Sequence, residues 1–346
     1  MRSTLAVRVA AVLAMFFSLT GIGALAPAAA CACGGVALPR DANTVASVHN
    51  EVALVDWDGR RETIVMQLAL QSGTDNAALI VPTPAPAQVS AGTAATFAEL
   101  KRLTAPAVHT ERRWFWSADE GAMAGAPGGP TVLGQVQLGP LEATTLTGGE
   151  LDGVRNWLRD NGYVLRPEVV ATLEPYLRAG WSFVAMRLTS SKPLAGALDP
   201  VRLSFDSDRL VYPMRMSSAA TAAQYVRLYV LSDHRVRRDD PDAGNQVVAV
   251  DFAGRIGAAT DPDLAGPAAA GRDYLTELSI AIHQPSGITS DFGFAAAPSD
   301  TTYRQVIRRR EDVALFGVPA GPPLLVGALL VLAVGIGVVV RRVRGA

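Results

Sequence analysis

Apolar and polar positions divide the first third of the chain into strands joined by tight turns. Val45–Asp56 (VASVHNEVALVD) and Glu62–Leu70 (ETIVMQLAL) are strand-like, and the Asp58–Gly59 step between them is a hairpin signal. Ala77–Val81 predicts a third strand, stopped by PTPAP, whose prolines Pro82, Pro84 and Pro86 favour an extended, polyproline-like exit. That exit reads either as a stiff loop or as a proline-rich ligand for a partner domain. From Thr93 to Leu103 the period changes, and Phe97, Leu100 and Leu103 fall on one side of an amphipathic helix. A strand over Val108–Trp116, a glycine-rich loop over Ala118–Pro130 and two short strands in Val132–Leu146, broken at Gly139–Pro140, follow.

The middle of the chain turns helical and then returns to strands. Thr147-Gly-Gly-Glu150 has the form of a capping box, and Leu151, Val154, Trp157 and Leu158 sit at helical spacing behind it. That helix stops at Asn161–Gly162, and a second runs from Pro167, suited to the first helical position, to Arg178. Trp181–Leu188, Val201–Phe205, Leu210–Met214, Tyr225–Leu231, Val247–Phe252 and Leu275–Ile282 read as strands. Gly254–Arg272 is dominated by Ala, Gly, Pro and Asp and reads as a loop or linker. Strands and helices come in runs without sustained βαβ alternation. The prediction is therefore an α+β fold, mainly antiparallel sheets with about three helices, plus one C-terminal transmembrane helix.

The two ends of the chain are apolar for a different reason. Arg2 and Arg8, the apolar run Val9–Leu25 and small residues ending at Ala30 follow the plan of a secretory signal peptide over residues 1–30. At the other end Leu324–Val340 carries neither a charge nor a polar side chain and would extend roughly 25 Å as a helix. The basic residues Arg341, Arg342 and Arg344 behind it place the C-terminus in the cytoplasm and the bulk outside. Arg308, Arg309 and Arg310 on the other side oppose that orientation weakly; next to a membrane they, together with Arg304, are candidates for contact with anionic headgroups, or a solvated basic stem. The expected organisation is an exported α+β domain over residues 31–253, then a linker, late strand and basic juxtamembrane stem over 254–322. A spanning helix over 323–341 and a cytoplasmic tail over 342–346 complete it.

Charge and candidate chemistry narrow the picture only a little. Without the five arginines of the two ends, 26 basic residues face 32 acidic ones, which gives no support to nucleic-acid binding. The only two cysteines, Cys31 and Cys33, stand directly behind the cleavage site in APAAACACGG. They are candidates for a strained small-ring disulfide suited to redox exchange, or, if AAAC is read as a lipobox, for a lipid anchor at Cys31. A metal clip would need more ligands than His49, His109, His234 and His283 offer in spacing.

Two weaker patterns remain. Asp239, Asp240, Asp242 and Asn245 crowd one acidic turn and are a candidate Ca²⁺ loop, although Gly and Asn are transposed relative to an EF-hand and the closing residue is Asp251. Trp114 and Trp116 would present two rings on one strand face to a sugar or lipid, against the plainer reading of core packing. Ala333 and Gly337 would let two spanning helices approach closely. GxSxG, HExxH, Walker and Ser-x-x-Lys patterns are absent, so no residue is nominated for catalysis and no cofactor is predicted.

CGG after the signal, WDGRRETIVMQLAL, AALIVPTPAP, FAELKRLTAP, WLRDNGY, AGWSFVAMRL, LDPVRLSF and LVYPMRM together resemble the bacterial, largely actinobacterial, family known as domain of unknown function 2330. The likeness runs from about Cys31 to Leu231. It implies an exported, membrane-anchored protein and supplies no activity. The resulting expectation is a non-enzymatic module that binds or organises an unknown ligand or protein of the cell envelope, held to the lipid bilayer by its last helix. The competing expectation is an exported enzyme, either a hydrolase without a familiar motif or a thiol oxidoreductase using Cys31 and Cys33.

Overall fold

The computed structural model describes residues 34–42, 46–114, 135–136, 142–147, 151–315 and 317–345. Its body has four layers: helices, a five-stranded sheet, a ten-stranded sheet, and helices again. The five-stranded sheet is antiparallel throughout, in the order Glu142–Leu146, Ser182–Thr189, Asn76–Thr83, Gly35–Pro39, Tyr163–Val164. The larger sheet runs Tyr303–Arg304, Val247–Arg255, Tyr274–Ile282, Gln224–Ser232, Ser47–Trp57, Arg61–Gln71, Ala195–Leu198 and Gln135–Val136. Val201–Asp206 pairs with Arg61–Gln71 and with the short strand Gln88–Ala91. Within this sheet Ser47–Trp57 lies parallel to Gln224–Ser232, and Ala195–Leu198 parallel to Gln135–Val136.

Why so many strands read as unbroken apolar runs is now clear: both faces are covered. Leu79, Val81, Val184 and Met186 of the smaller sheet meet Val55, Ile64, Met66 and Leu228 of the larger one in the central core. Their chain neighbours Ala78, Ile80, Phe183 and Ala185 point the other way, against the helices Leu151–Asp160 and Pro167–Arg178 through Val154, Leu158, Val169 and Leu173. On the far side, Leu54, Val65, Tyr229 and Leu231 pack under Leu100 and Leu264, which the helices Ala94–Leu103 and Pro262–Ala269 supply. A period of two thus feeds two different cores from one strand.

The hairpin at Asp58–Gly59 forms in the expected place. Asp58 Oδ1 accepts from the amides of Arg60 and Arg61 at 2.9 and 2.7 Å, and Gly59 has φ of +94°, the left-handed region that suits glycine. Asn161–Gly162 ends its helix as expected, with the Asn161 side-chain amide donating to Trp157 O at 2.8 Å. Among the described residues, Gly35–Pro39 pairs with strand Asn76–Thr83 only as far as Ile80, short of Pro82. Three residues of the capping box, Gly148, Gly149 and Glu150, lie outside the described residues, as does the glycine-rich loop.

Two local expectations are corrected. Gly254–Arg272, read as loop or linker, contains the helix Pro262–Ala269, capped by Asp261, whose side chain accepts from the Asp263 amide at 3.0 Å. Pro262 at the first helical position and fully buried Leu264 explain why so Gly- and Pro-rich a stretch folds as helix. Leu210–Met214 keeps only Val211–Tyr212 as strand, and the chain then turns through the 3-10 segment Arg215–Ala219. The late strand Tyr274–Ile282 sits inside the large sheet, between Val247–Arg255 and Gln224–Ser232.

Candidate functional site

Beyond the large sheet the chain leaves the body as a thin joint. Val306–Asp312 pairs in parallel with Ala107–Arg113, a two-stranded ribbon from Val306↔Ala107 to Asp312↔Arg113. At its root the Arg304 guanidinium lies 4.8 Å from the Phe252 ring centre and donates to Leu103 O and Ala105 O at 3.0 and 2.6 Å, while the Ala107 amide donates to Gln305 O at 2.8 Å. At its tip Arg113 grips Asp312 with two bonds of 2.7 and 3.3 Å.

From the tip a short relay of backbone bonds leads onward. The Val313 amide donates to Arg113 O at 2.9 Å, and Ala320 donates to Val313 O at 2.6 Å across the small hairpin Ala314–Leu315/Val318–Pro319. Ala320 O then accepts from Leu324 in the first turn of the helix Gly321–Arg344. This helix has 24 residues, a mean hydropathy of 2.8 in its most apolar window, and none of that window is buried against the body. It is the one helix among the described residues long and apolar enough to cross a membrane. Its length is about 36 Å at 1.5 Å per residue, more than the hydrocarbon core requires.

The residues singled out from sequence are placed as follows. Trp114 directly follows the ribbon strand and is half exposed; its partner Trp116, like Cys31 and Cys33, lies outside the described residues. In the acidic turn, Asp240 is buried and bound to the Arg238 guanidinium at 2.5 and 2.6 Å, itself stacked 3.4 Å from the Phe292 ring centre. Asp242 is buried too, and accepts from the amides and hydroxyls of Thr289 and Ser290 at 2.8–3.0 Å. Burial raises the Asp242 carboxyl, but those four donors outweigh it and hold it below the usual carboxylate range. Asp239 faces Arg237 at 2.6 Å, and Asn245 contributes a backbone amide to Asp242 O. Among the described residues no group of three His, Cys, Asp or Glu side chains is arranged to hold a metal.

Sequence reasoning missed the buried carboxylates, because a single acidic residue inside an apolar run gives no local signal of its partner. Asp291 Oδ1 accepts from the Tyr176 hydroxyl at 2.5 Å and the amides of Met214 and Arg215 at 2.8 and 3.1 Å, with Arg215 Nε 3.1 Å from its other oxygen. Burial, then the neighbouring Asp291 charge, pushes the Tyr176 hydroxyl well above its ordinary pKa. Glu99, on the helix Ala94–Leu103, accepts from Thr260 N, Thr260 Oγ1 and Asp261 N at 2.8–3.0 Å, tying the two outer helices together. Glu51 takes the Tyr212 hydroxyl in the central core. Glu62 accepts from the Val211 amide at 3.3 Å, and burial drives its carboxyl well above the ordinary range. These groups brace loops against sheets.

One small cleft opens where Arg202 pairs with Asp263 beside Asp56; it holds about 40 Å³, room for a water molecule and little more. Asp56 there is gripped by Arg272 at 2.7 and 3.2 Å.

Comparison with known proteins gives a family and no activity. A bacterial family described as an uncharacterised protein conserved in bacteria, DUF2330, matches residues 27–295. The chain belongs to this family. The DUF2330 match takes in both sheets except the edge strand Tyr303–Arg304, includes the helix Pro262–Ala269, and stops short of the ribbon strand Val306–Asp312. No curated protein matches the chain. Among solved structures it is similar to the crystal structure of baculovirus P35, at 8% identity and a TM-score of 0.35, covering 73% of this chain and 98% of that one.

Proposed function

We propose that this DUF2330 protein is a membrane-tethered extracytoplasmic module of the bacterial envelope that binds or organises an envelope component rather than transforming it. The observation that carries this reading is the joint: a spanning-length helix whose apolar window is nowhere buried among the described residues, hydrogen-bonded in series through Ala320, Val313 and Arg113 to the four-layer fold. A fixed bracket of this kind suits a protein whose position relative to the bilayer is part of its task. Export of the N-terminal bulk and a cytoplasmic C-terminus follow from the signal-like start and from Arg341, Arg342 and Arg344. The spent buried carboxylates are in keeping with a binding role, since each is already engaged in holding a loop.

The test is protease treatment of intact spheroplasts carrying the full chain with a tag after Ala346. The body is expected to be digested while the tag and spanning helix survive. A protected body would sink the topology, and turnover of envelope glycans, peptides or thiols by the purified protein would sink the binding role.

A further inference from the structure

The ribbon that joins body to helix is exposed on both faces, yet the faces differ. In the parallel register Val108 stands beside Ile307, Thr110 beside Arg309 and Arg112 beside Glu311, so these six share one face. The opposite face carries His109, Glu111, Arg113, Arg308, Arg310 and Asp312. It also carries Val306, and there Arg113 holds Asp312 at 2.7 Å and Arg308 lies 3.7 Å from Glu111, while Arg310 forms no ion pair among the described residues.

On the first face, Arg309 and Arg112 form no ion pair among the described residues, and Val108 and Ile307 are 60% and 44% exposed. Trp114, 51% exposed, directly follows this strand at the end nearest the helix. A two-stranded ribbon with neither face covered is marginal in water. Unpaired arginines beside aliphatic side chains and a terminal Trp have the composition of an element that rests at a lipid–water boundary.

We infer that this ribbon is a second membrane contact. It lies along the surface of an anionic bilayer with Val108, Ile307 and Trp114 set into the headgroup layer and Arg309 and Arg112 on lipid phosphates. The occupant is fixed by continuity, because the relay from Arg113 through Val313 to Ala320 leaves the ribbon tip a few residues from the start of the spanning helix. It is fixed also by charge, because the ribbon as a whole is cationic, with Arg112, Arg113, Arg308, Arg309 and Arg310 against Glu111, Glu311 and Asp312. Strand and helix then hold the body at a set orientation as well as a set distance. The inference rests on the tethered reading above and adds the lipid as a recognised partner.

The test uses the full chain in nanodiscs of phosphatidylcholine, with or without phosphatidylglycerol, whose acyl chains carry bromine at a shallow position. Two reporters are read: native Trp114, as the difference between wild type and Trp114→Phe, and Val108→Trp at the root of the ribbon. Shallow quenching of both is expected, stronger by about twofold or more in the anionic discs, with that excess lost in Arg112→Ser/Arg309→Ser. Quenching of Trp114 alone would mean that the ribbon stands upright as a stalk, and would overturn the proposal. Equal quenching in both lipids would overturn recognition of anionic headgroups. Retention of the chain on the discs after an alkaline carbonate wash is scored in parallel. Its loss would defeat the tether itself, whereas retention without quenching would defeat the ribbon contact alone.

Discussion

Ser182–Thr189 (SFVAMRLT) and Val306–Asp312 (VIRRRED) are both β-strands of similar length, and they live in opposite environments. The first has a neighbour on each side and a core on each face: Val184 and Met186 serve one, Phe183 and Ala185 the other. The second has one neighbour among the described residues and every residue exposed. Backbone pairing is common to both, so what separates them is side-chain burial. The body derives its stability from apolar area removed from water, and the ribbon from bracing at its two ends by Arg304 and by the Arg113–Asp312 pair.

The sharpest way to break this contrast is to remove the same atoms from each region. Leu228→Ala in the central core should cost about 2–5 kcal/mol, while Ile307→Ala in the ribbon should cost no more than about 0.5 kcal/mol. Urea midpoints of the full chain in detergent, read by circular dichroism, measure both. Similar losses at the two sites would show that the ribbon is packed after all.

A second substitution adds atoms instead. A Cβ at Gly34 would lie 2.4 Å from Ile80 O, and one at Gly35 would lie 2.7 Å from Val169 Cγ1 and 2.8 Å from Met216 Cε. Gly34→Ala therefore forces strand or backbone to shift and should cost about 1–3 kcal/mol, seen as a lower urea midpoint. Close approach accounts for both glycines of the CGG sequence.

A third prediction concerns polar bracing. Asp242→Ala strands the amides of Thr289 and Ser290 in a buried turn and should cost about 1–3 kcal/mol. Because Asp240 and Asp242 already serve Arg238, Thr289 and Ser290, adding calcium to the wild type is expected to leave its Tm unchanged. A calcium-dependent rise in Tm that Asp242→Ala abolishes would reverse that view.

The smallest effect is one of pH. Burial raises Glu62 above its ordinary value of 4.5, so the fold favours its protonated form. Its contribution is full below that value and is lost as pH rises through the raised folded value. Glu62→Gln keeps an oxygen for the Val211 amide and removes the titration. At pH 4 the variant should match wild type within about 0.5 kcal/mol, and its advantage should grow as pH climbs. Parallel curves for the two proteins would remove Glu62 from the pH response.

What the sequence made legible follows from range. Signals completed within a few residues were readable: the Asp58–Gly59 turn, the stop at Asn161–Gly162 and Pro167 at the head of its helix. At Asp261–Pro262–Asp263 the cap, the first-position proline and the acidic first turn were all present, but the surrounding Ala, Gly and Pro outweighed them. Pairings between distant segments left no local trace. Nothing in VASVHNEVALVD announces a parallel neighbour at Gln224–Ser232, and nothing in the RRRED run announces a partner at Ala107–Arg113. The polar braces were hidden for the same reason, since Asp291 and Tyr176 are 115 positions apart.

The parallel seam between Ser47–Trp57 and Gln224–Ser232 also sets a timetable. A ribosome releases the first strand long before its neighbour exists, and the sheet waits further for Tyr274–Ile282. At about 5–20 residues per second the delay is roughly 10–50 s, during which the strand Ser47–Trp57 and its hairpin mate Arg61–Gln71 have a bare edge. Such a chain must be escorted, or kept in a channel, until its second half arrives. Truncations ending before Gln224 are therefore expected to aggregate rather than to yield a smaller stable protein.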